Sequence, residues 1–229
     1  MQHLEEIAER IHTTFVTRTA VRDQLLAQAR TLTRHCANAI RAAHREDRQE
    51  ARTQLAEASR LAAGFHALGK EYPDLYYAGY TQDALKEYAE ASIVYALLDG
   101  PNLPSPEDLG LEASTYLQGL AETVGELRRR CLDVLLKGDF QEAQRLLGYM
   151  NNIYDVLVTM DYPDAITNGL RRQTDNARGI IEKTRGDVTF SLRGQDLTQA
   201  ISILSKQLNG DQVDVENRSG LPLRMNDEE

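Results

Sequence analysis

The stretch Ala84-Leu85-Lys86-Glu87-Tyr88-Ala89-Glu90-Ala91-Ser92-Ile93-Val94-Tyr95-Ala96-Leu97-Leu98 contains neither Gly nor Pro and sets two carboxylates one helical turn apart in apolar surroundings. At about 100° per residue, Ala84, Glu87, Ala91, Val94 and Leu98 fall on one side of a helix, with Glu90 at its edge. Ionised carboxylates are seldom placed on such a face unless a cation, a metal or a proton offsets their desolvation. Two readings are open on these residues alone. The acids snorkel or pair with Lys86 and other cations, or they belong to a site.

Working outward, Leu, Ala, Glu, Gln and Arg dominate the 229 residues, with only 15 Gly and 6 Pro, so a mostly helical chain is expected. The length suits one large domain, or a domain and a tail. A formal charge of −9 argues against coating nucleic acid through bulk positive charge, though not against a local basic surface. The two cysteines, Cys36 and Cys131, lack metal-ligand spacing and are expected to pack as small apolar side chains. Met1-Gln-His-Leu-Glu-Glu6 has neither the basic start nor the apolar run of a signal peptide, and no segment is long and apolar enough to span a bilayer. The expected location is cytoplasmic, with no membrane partner.

A first helix is expected over residues 4–45, where Val21, Leu25, Leu32, Cys36, Ile40 and Ala43 share a face. Away from that face, Arg30, Arg34, Arg41 and Arg45 lie within about 60° of one another. Such a stripe is either a solvated face or a track for phosphates, whose oxygens match the guanidinium fork. A second helix over 50–68 is expected to be capped by Gly69, and the tyrosines at 76 and 77 read as core or interface residues more readily than as base-stacking platforms. The third helix, built on the opening stretch, stops at Asp99-Gly100-Pro101.

Ser105-Pro106 is a candidate cap and first helical residue, ahead of a fourth helix over 111–136 with Leu117, Leu120, Val124, Leu127, Cys131 and Leu135 on its apolar face. By periodicity Glu122 and Glu126 lie opposite that face, as ordinary exposed acids with Arg129 and Arg130 in pairing range. Gly119 and Gly125 are less ordinary. Each costs about 1 kcal/mol against Ala in a helix interior, which suggests that another backbone or a ligand comes close on this side. Asp139 is read as the cap of a fifth helix to about Met160, a sixth is expected over 165–193 and a short seventh over 197–208. Residues 1–208 then form the domain, and 209–229 read as an acidic, disordered tail.

Taken together, Leu85-Lys-Glu87-Tyr-Ala-Glu90-Ala91, Tyr116-Leu-Gln-Gly119-Leu-Ala-Glu122-Thr-Val-Gly125-Glu126-Leu127, Gly138-Asp139 and Ser191-Leu-Arg193-Gly194 resemble the translin family, and its branch of translin-associated factor X most closely. The resemblance covers most of the chain. It implies an all-α, single-domain bundle of about seven long antiparallel helices that assembles into a hollow, roughly octameric homo-oligomeric barrel. For the factor X branch it further implies an endoribonuclease that depends on Mg²⁺, or on Mn²⁺ in its place, acting on RNA, with single-stranded DNA as a further ligand. Glu87 and Glu90 match that branch's acidic pair, which plain translin does not keep. Glu126 matches a family Glu, and Glu122 stands where the family usually has Asp, one methylene shorter. On this resemblance Glu87, Glu90, Glu122 and Glu126 are the expected metal ligands and catalytic groups, Glu126 either as ligand or as the base that orients water. The stripe Arg30, Arg34, Arg41 and Arg45 is the expected guide for the RNA backbone.

Four other readings compete, the plainest being a purely structural helical assembly that binds no nucleic acid. A non-catalytic RNA- or DNA-binding barrel would use the same acids structurally. An all-helical nucleotide pyrophosphohydrolase also pairs Glu-x-x-Glu with acids on a second helix, but here the second pair is spaced by four, and Tyr-Leu-x-Gly has no place in that pattern. A di-iron bundle calls for two Glu-x-x-His pieces, and Glu9-Arg-Ile-His12 has no second copy among the five histidines.

Overall fold

A computed structural model describes residues 2–100 and 102–218, with only the backbone described at residue 2 and from residue 208 on. Among the described residues every regular element is a helix: α1 (Gln2–His44), α2 (Arg48–Glu71), α3 (Pro73–Tyr76), α4 (Gly79–Asp99), α5 (Pro106–Leu109), α6 (Ala113–Leu136), α7 (Phe140–Thr159), α8 (Asp164–Thr167) and α9 (Leu170–Arg218). Six of these are long and three, α3, α5 and α8, are single turns, so the expected seven become nine by a different division of the same chain.

Each boundary has a local cause. Between α1 and α2, Glu46 adopts φ 63° and the Asp47 carboxylate accepts from the Glu50 amide at 3.1 Å, reversing the chain in three residues. The turn between α6 and α7 works the same way, through Gly138 at φ 77° and Asp139 accepting from the Glu142 amide at 3.0 Å. Ser105 and Asp108 form a reciprocal capping box around α5, as the Ser-Pro pair leads one to expect, but Gly110 at φ 65° ends that turn and α6 starts afresh.

Two expected boundaries move. Gly69 is not a cap, because α2 continues to Glu71; a Cβ at residue 69 would lie 2.9 Å from the Tyr76 ring, so the glycine makes room for that ring and Pro73 ends the helix instead. The helix expected from residue 165 is split, because Asn168 (φ 57°) and Gly169 (φ 82°) are both left-handed and α9 begins after them. The sixth and seventh expected helices then merge, as α9 runs unbroken to Arg218. Residues 209–218 of the expected tail are the end of α9, and residues 219–229 lie outside the described residues.

The core is a row of helices. α4 packs between α1 and α6 and also touches α2, while α6 packs on its other side against α7 and α9. Leu25, Leu32 and Cys36 of α1, Phe65 of α2, Leu85 and Ile93 of α4, Leu127 and Cys131 of α6, Leu146 and Met150 of α7, and Leu170 of α9 are buried together, and both cysteines are free thiols. Tyr76 joins this core, whereas Tyr77 is exposed with its hydroxyl donating to Glu112 at 3.3 Å. A helix packed on two sides has no polar face to spare, and α4 accordingly buries most of its length, Glu90 included.

Candidate metal centre

The site forms where α4 and α6 come closest. A Cβ on Gly119 would lie 2.6 Å from the Ala89 Cβ, 2.8 Å from the Lys86 carbonyl oxygen and 2.9 Å from the Glu90 amide nitrogen, so only a glycine admits this crossing. The close approach expected of Gly119 is thus to the backbone of α4, at the turn that carries Glu87 and Glu90. The same expectation at Gly125 does not hold, since nothing lies within 4 Å of a Cβ there. One turn beyond Gly119, Glu122 meets the α4 pair: carboxylate oxygens of Glu87, Glu90 and Glu122 all lie within 4.8 Å of one another.

Glu122 and Glu126 are therefore not the exposed acids that periodicity suggests, but half-buried groups on the side of α6 that faces α4 and α1. Glu126 is not drawn into the triad. Its Oε2 accepts a 2.6 Å hydrogen bond from Nε2 of His44, the last residue of α1, and lies 3.8 Å from Arg129. Arg130, the other cation expected to pair with Glu126, reaches across to Glu46 at 2.7 Å and to the His44 carbonyl at 3.3 Å.

The electrostatics of the acids diverge accordingly. Burial, and then the charges of Glu87, Glu122 and Glu126, push the Glu90 carboxyl up to about 8, with Lys86 opposing. Glu87 is also raised, by burial first, with Lys86 pulling the other way. Glu126 is held below its ordinary value by the His44 hydrogen bond, against the effect of burial. Cys36 of α1 is fully buried, and its thiol is pushed up by burial and then by the charges of Glu87 and Glu90, which makes it a packed thiol rather than a nucleophile.

Three further residues complete the site. The Lys86 ammonium donates to Glu122 Oε1 at 2.8 Å and lies 3.9 Å from Glu87. Although burial opposes its charge, the bond to Glu122 and the charges of Glu122, Glu87 and Asp83 raise the lysine above its ordinary value. From α9, Gln173 Nε2 donates to the same Glu122 oxygen at 3.3 Å. His44 and Gln173 carry no signal in sequence beyond their positions, since each acts across helices distant in the chain.

The donor set suits a hard divalent ion. Three carboxylates offer oxygen alone, the preference of Mg²⁺ and Mn²⁺ rather than zinc. Two structural observations agree. Glu90 is a dehydrated acid facing like charges, which a divalent cation would relieve. Gln173 Oε1 is a buried acceptor without a donor, on the side chain that holds Glu122, so the site has a polar atom left to satisfy.

Of the expected stripe, Arg30, Arg34 and Arg41 lie on α1 and Arg45 falls in the turn after it rather than on the expected helix; all four are exposed, with Arg41 bonded to Asn38. Stepped around α1, His44 lies between the buried face and this stripe, so the basic surface adjoins the edge of the helix that reaches the acids. Among the described residues, no helix is long and apolar enough to cross a membrane.

No family model matches the chain. It is 32% identical over 182 residues to the uncharacterized protein MJ0175 of Methanocaldococcus jannaschii, covering 79% of this chain and 80% of that one. Among solved structures, AfC3PO from Archaeoglobus in complex with duplex RNA superposes with a TM-score of 0.75 at 32% identity, covering 81% of this chain and 96% of that one. A second AfC3PO structure gives the same TM-score and identity with 97% of its chain covered. Apo-NeC3PO shares the fold at a TM-score of 0.74 and 23% identity, covering 80% of this chain and 96% of that one.

Proposed function

This chain belongs to the translin family, and from that premise we propose that it binds RNA and cleaves it as a divalent-metal-dependent endoribonuclease of the translin-associated factor X type. The observation that carries the reading is the convergence of Glu87, Glu90 and Glu122, with oxygens within 4.8 Å, at a crossing made by Gly119. RNA as ligand is supported by the duplex RNA bound to AfC3PO and by the exposed arginines of α1.

Glu87, Glu90 and Glu122 would hold the ion. A Mg²⁺ there supplies Lewis-acid polarisation of a phosphate oxygen and a water of lowered pKa. The remaining work falls to the chain. Glu126, fixed through its Oε2 by His44, would use its other carboxylate oxygen to orient a water and take up its proton. Gln173, donating to Glu122, helps to hold that carboxylate in place. Arg30, Arg34, Arg41 and Arg45 hold phosphates of the flanking backbone, giving salt-sensitive binding with little sequence preference. A hollow homo-oligomeric barrel of about eight subunits is the assembly proposed for the intact protein.

The test compares cleavage of labelled single-stranded RNA in Mg²⁺ by the wild type and by Glu87→Gln with Glu90→Gln. A loss of at least about a hundredfold in the variant, with RNA binding retained, supports the nuclease. Equal rates in both remove the site. A second reading, RNA binding without cleavage, is favoured by one observation: the Lys86–Glu122 ion pair already neutralises part of the cluster. It predicts that neither protein cleaves RNA and that both bind it.

A further inference from the structure

Lys86 is the one site residue with a chemistry that opposes a bound metal. Its ammonium donates to Glu122 at 2.8 Å, stands 3.9 Å from Glu87 and has a side chain only 15% exposed, so it is held within the site and not waving at its rim. An ion that touches all three acids must lie among oxygens no more than 4.8 Å apart, and one of those acids, Glu122, already accepts the ammonium. A +1 and a +2 charge a few ångströms apart repel strongly wherever water is scarce. The two cations compete for the same carboxylates.

Lysine suits an exchange of this kind. Its charge sits on a flexible four-carbon stem and makes single-point bonds, whereas an arginine fork would clamp Glu122 with two. Asp83, one turn earlier on α4, is exposed and within side-chain reach at the i, i+3 spacing, so the displaced head group has an anion to move toward. Glu122 would not be released when Lys86 leaves, because Gln173 still donates to its Oε1 at 3.3 Å.

We propose that Lys86 is a tethered counter-cation of the acid cluster: it neutralises Glu122 and Glu87 when no divalent ion is bound, swings toward Asp83 when one enters, and thereby sets the site to weak, readily exchanged metal binding. The proposal rests on the metal-site reading given above. It makes the chain's metal dependence adjustable at a residue that is not itself a ligand, and it keeps three convergent carboxylates tolerable without metal.

The experiment is Mn²⁺ binding to the intact protein, followed by calorimetry and by the loss of the free Mn²⁺ paramagnetic resonance signal, at fixed pH and ionic strength. Lys86→Met and Lys86→Gln should each bind Mn²⁺ about tenfold more tightly than the wild type, a difference of about 1.4 kcal/mol. Lys86→Arg, which keeps the charge, should bind no more tightly than the wild type. It also serves as the informative variant if the neutral substitutions fail to fold: Mn²⁺ affinity several-fold above wild type in Lys86→Arg overturns the proposal. Unchanged or weaker binding in both neutral variants overturns it too. Glu87→Gln with Glu90→Gln separates the two layers. If that pair abolishes wild-type Mn²⁺ binding while Lys86→Met leaves it unchanged, the metal site stands and the role of Lys86 falls. If the pair leaves Mn²⁺ binding intact, the metal site itself falls.

Discussion

Gly119→Ala is the substitution that tests how the site is built. The added Cβ would meet the Ala89 Cβ at 2.6 Å, the Lys86 carbonyl oxygen at 2.8 Å and the Glu90 nitrogen at 2.9 Å. Two of these three atoms are backbone of α4, so no change of rotamer relieves the clash, and the helices must part by roughly 0.5–1 Å to regain ordinary packing. Overpacking of this kind costs about 1–3 kcal/mol, while replacing a helix-interior glycine by alanine returns up to about 1 kcal/mol. With the full propensity gain set against it, the balance is a loss of up to about 2 kcal/mol, or up to roughly 8 °C in melting temperature for a chain of this size. Gly125→Ala, two turns along the same helix, is the matched control: nothing lies within 4 Å of its Cβ, so only the propensity gain remains and the chain should melt about 2–4 °C higher. Thermal unfolding followed by far-UV circular dichroism reads both. Parting α4 from α6 also spreads the triad, so Mn²⁺ binding should weaken in Gly119→Ala and stay unchanged in Gly125→Ala. A Gly119→Ala protein stabilised as much as Gly125→Ala would refute the crossing as the structural origin of the site.

Other consequences are open to simple measurements. The Glu90 carboxyl, raised to about 8 by burial and by its acidic neighbours, holds a proton in the folded chain that an unfolded glutamate releases near 4.5. The resulting stability is complete below the unfolded value and vanishes as pH rises through the folded one. Metal-free protein should therefore lose about 3 kcal/mol of unfolding free energy between roughly pH 5 and pH 8, and Glu90→Gln should flatten that slope; a slope identical in wild type and variant contradicts the assignment. Removing the buried donor to Glu126 with His44→Ala should destabilise the fold by about 1–3 kcal/mol in urea unfolding. In the same variant the Glu126 carboxyl, followed by carbon NMR, should titrate at higher pH than in the wild type, because the bond that holds it down is gone; an unchanged titration would remove His44 as its partner. Replacing Arg30, Arg34, Arg41 and Arg45 by Gln should weaken RNA binding and reduce its salt dependence by about 0.7–0.9 logarithmic units for each phosphate that is no longer neutralised. An unaltered slope would assign the stripe to solvent alone.

Much of the helical order was legible because Pro, Ser and Asp punctuate it: the Asp139 cap and the Ser105-Pro106 start stand where local chemistry puts them. The misread boundaries, at Gly69 and at Asn168-Gly169, were decided by a neighbouring aromatic ring and by two successive left-handed residues, neither of which periodicity registers. Glu87 and Glu90 stood out because acids interrupt an apolar arc. Glu122 did not, since α6 is buried both against α4 and against α7 and α9, and a helix with two packed sides has no single face for its acids to oppose. Gly119 was its only local sign, and Gly125 carried the same sign with no partner behind it. The bond from His44 to Glu126 joins residues far apart in the chain and follows from no spacing.

The most direct measurement is anomalous diffraction from crystals of the intact protein grown with Mn²⁺. The account predicts one anomalous peak at bonding distance from Glu87, Glu90 and Glu122, with Glu126 still bonded to His44 and the Lys86 ammonium withdrawn from Glu122. Saturating Mn²⁺ that leaves no peak there, with Lys86 still bonded to Glu122, would contradict it.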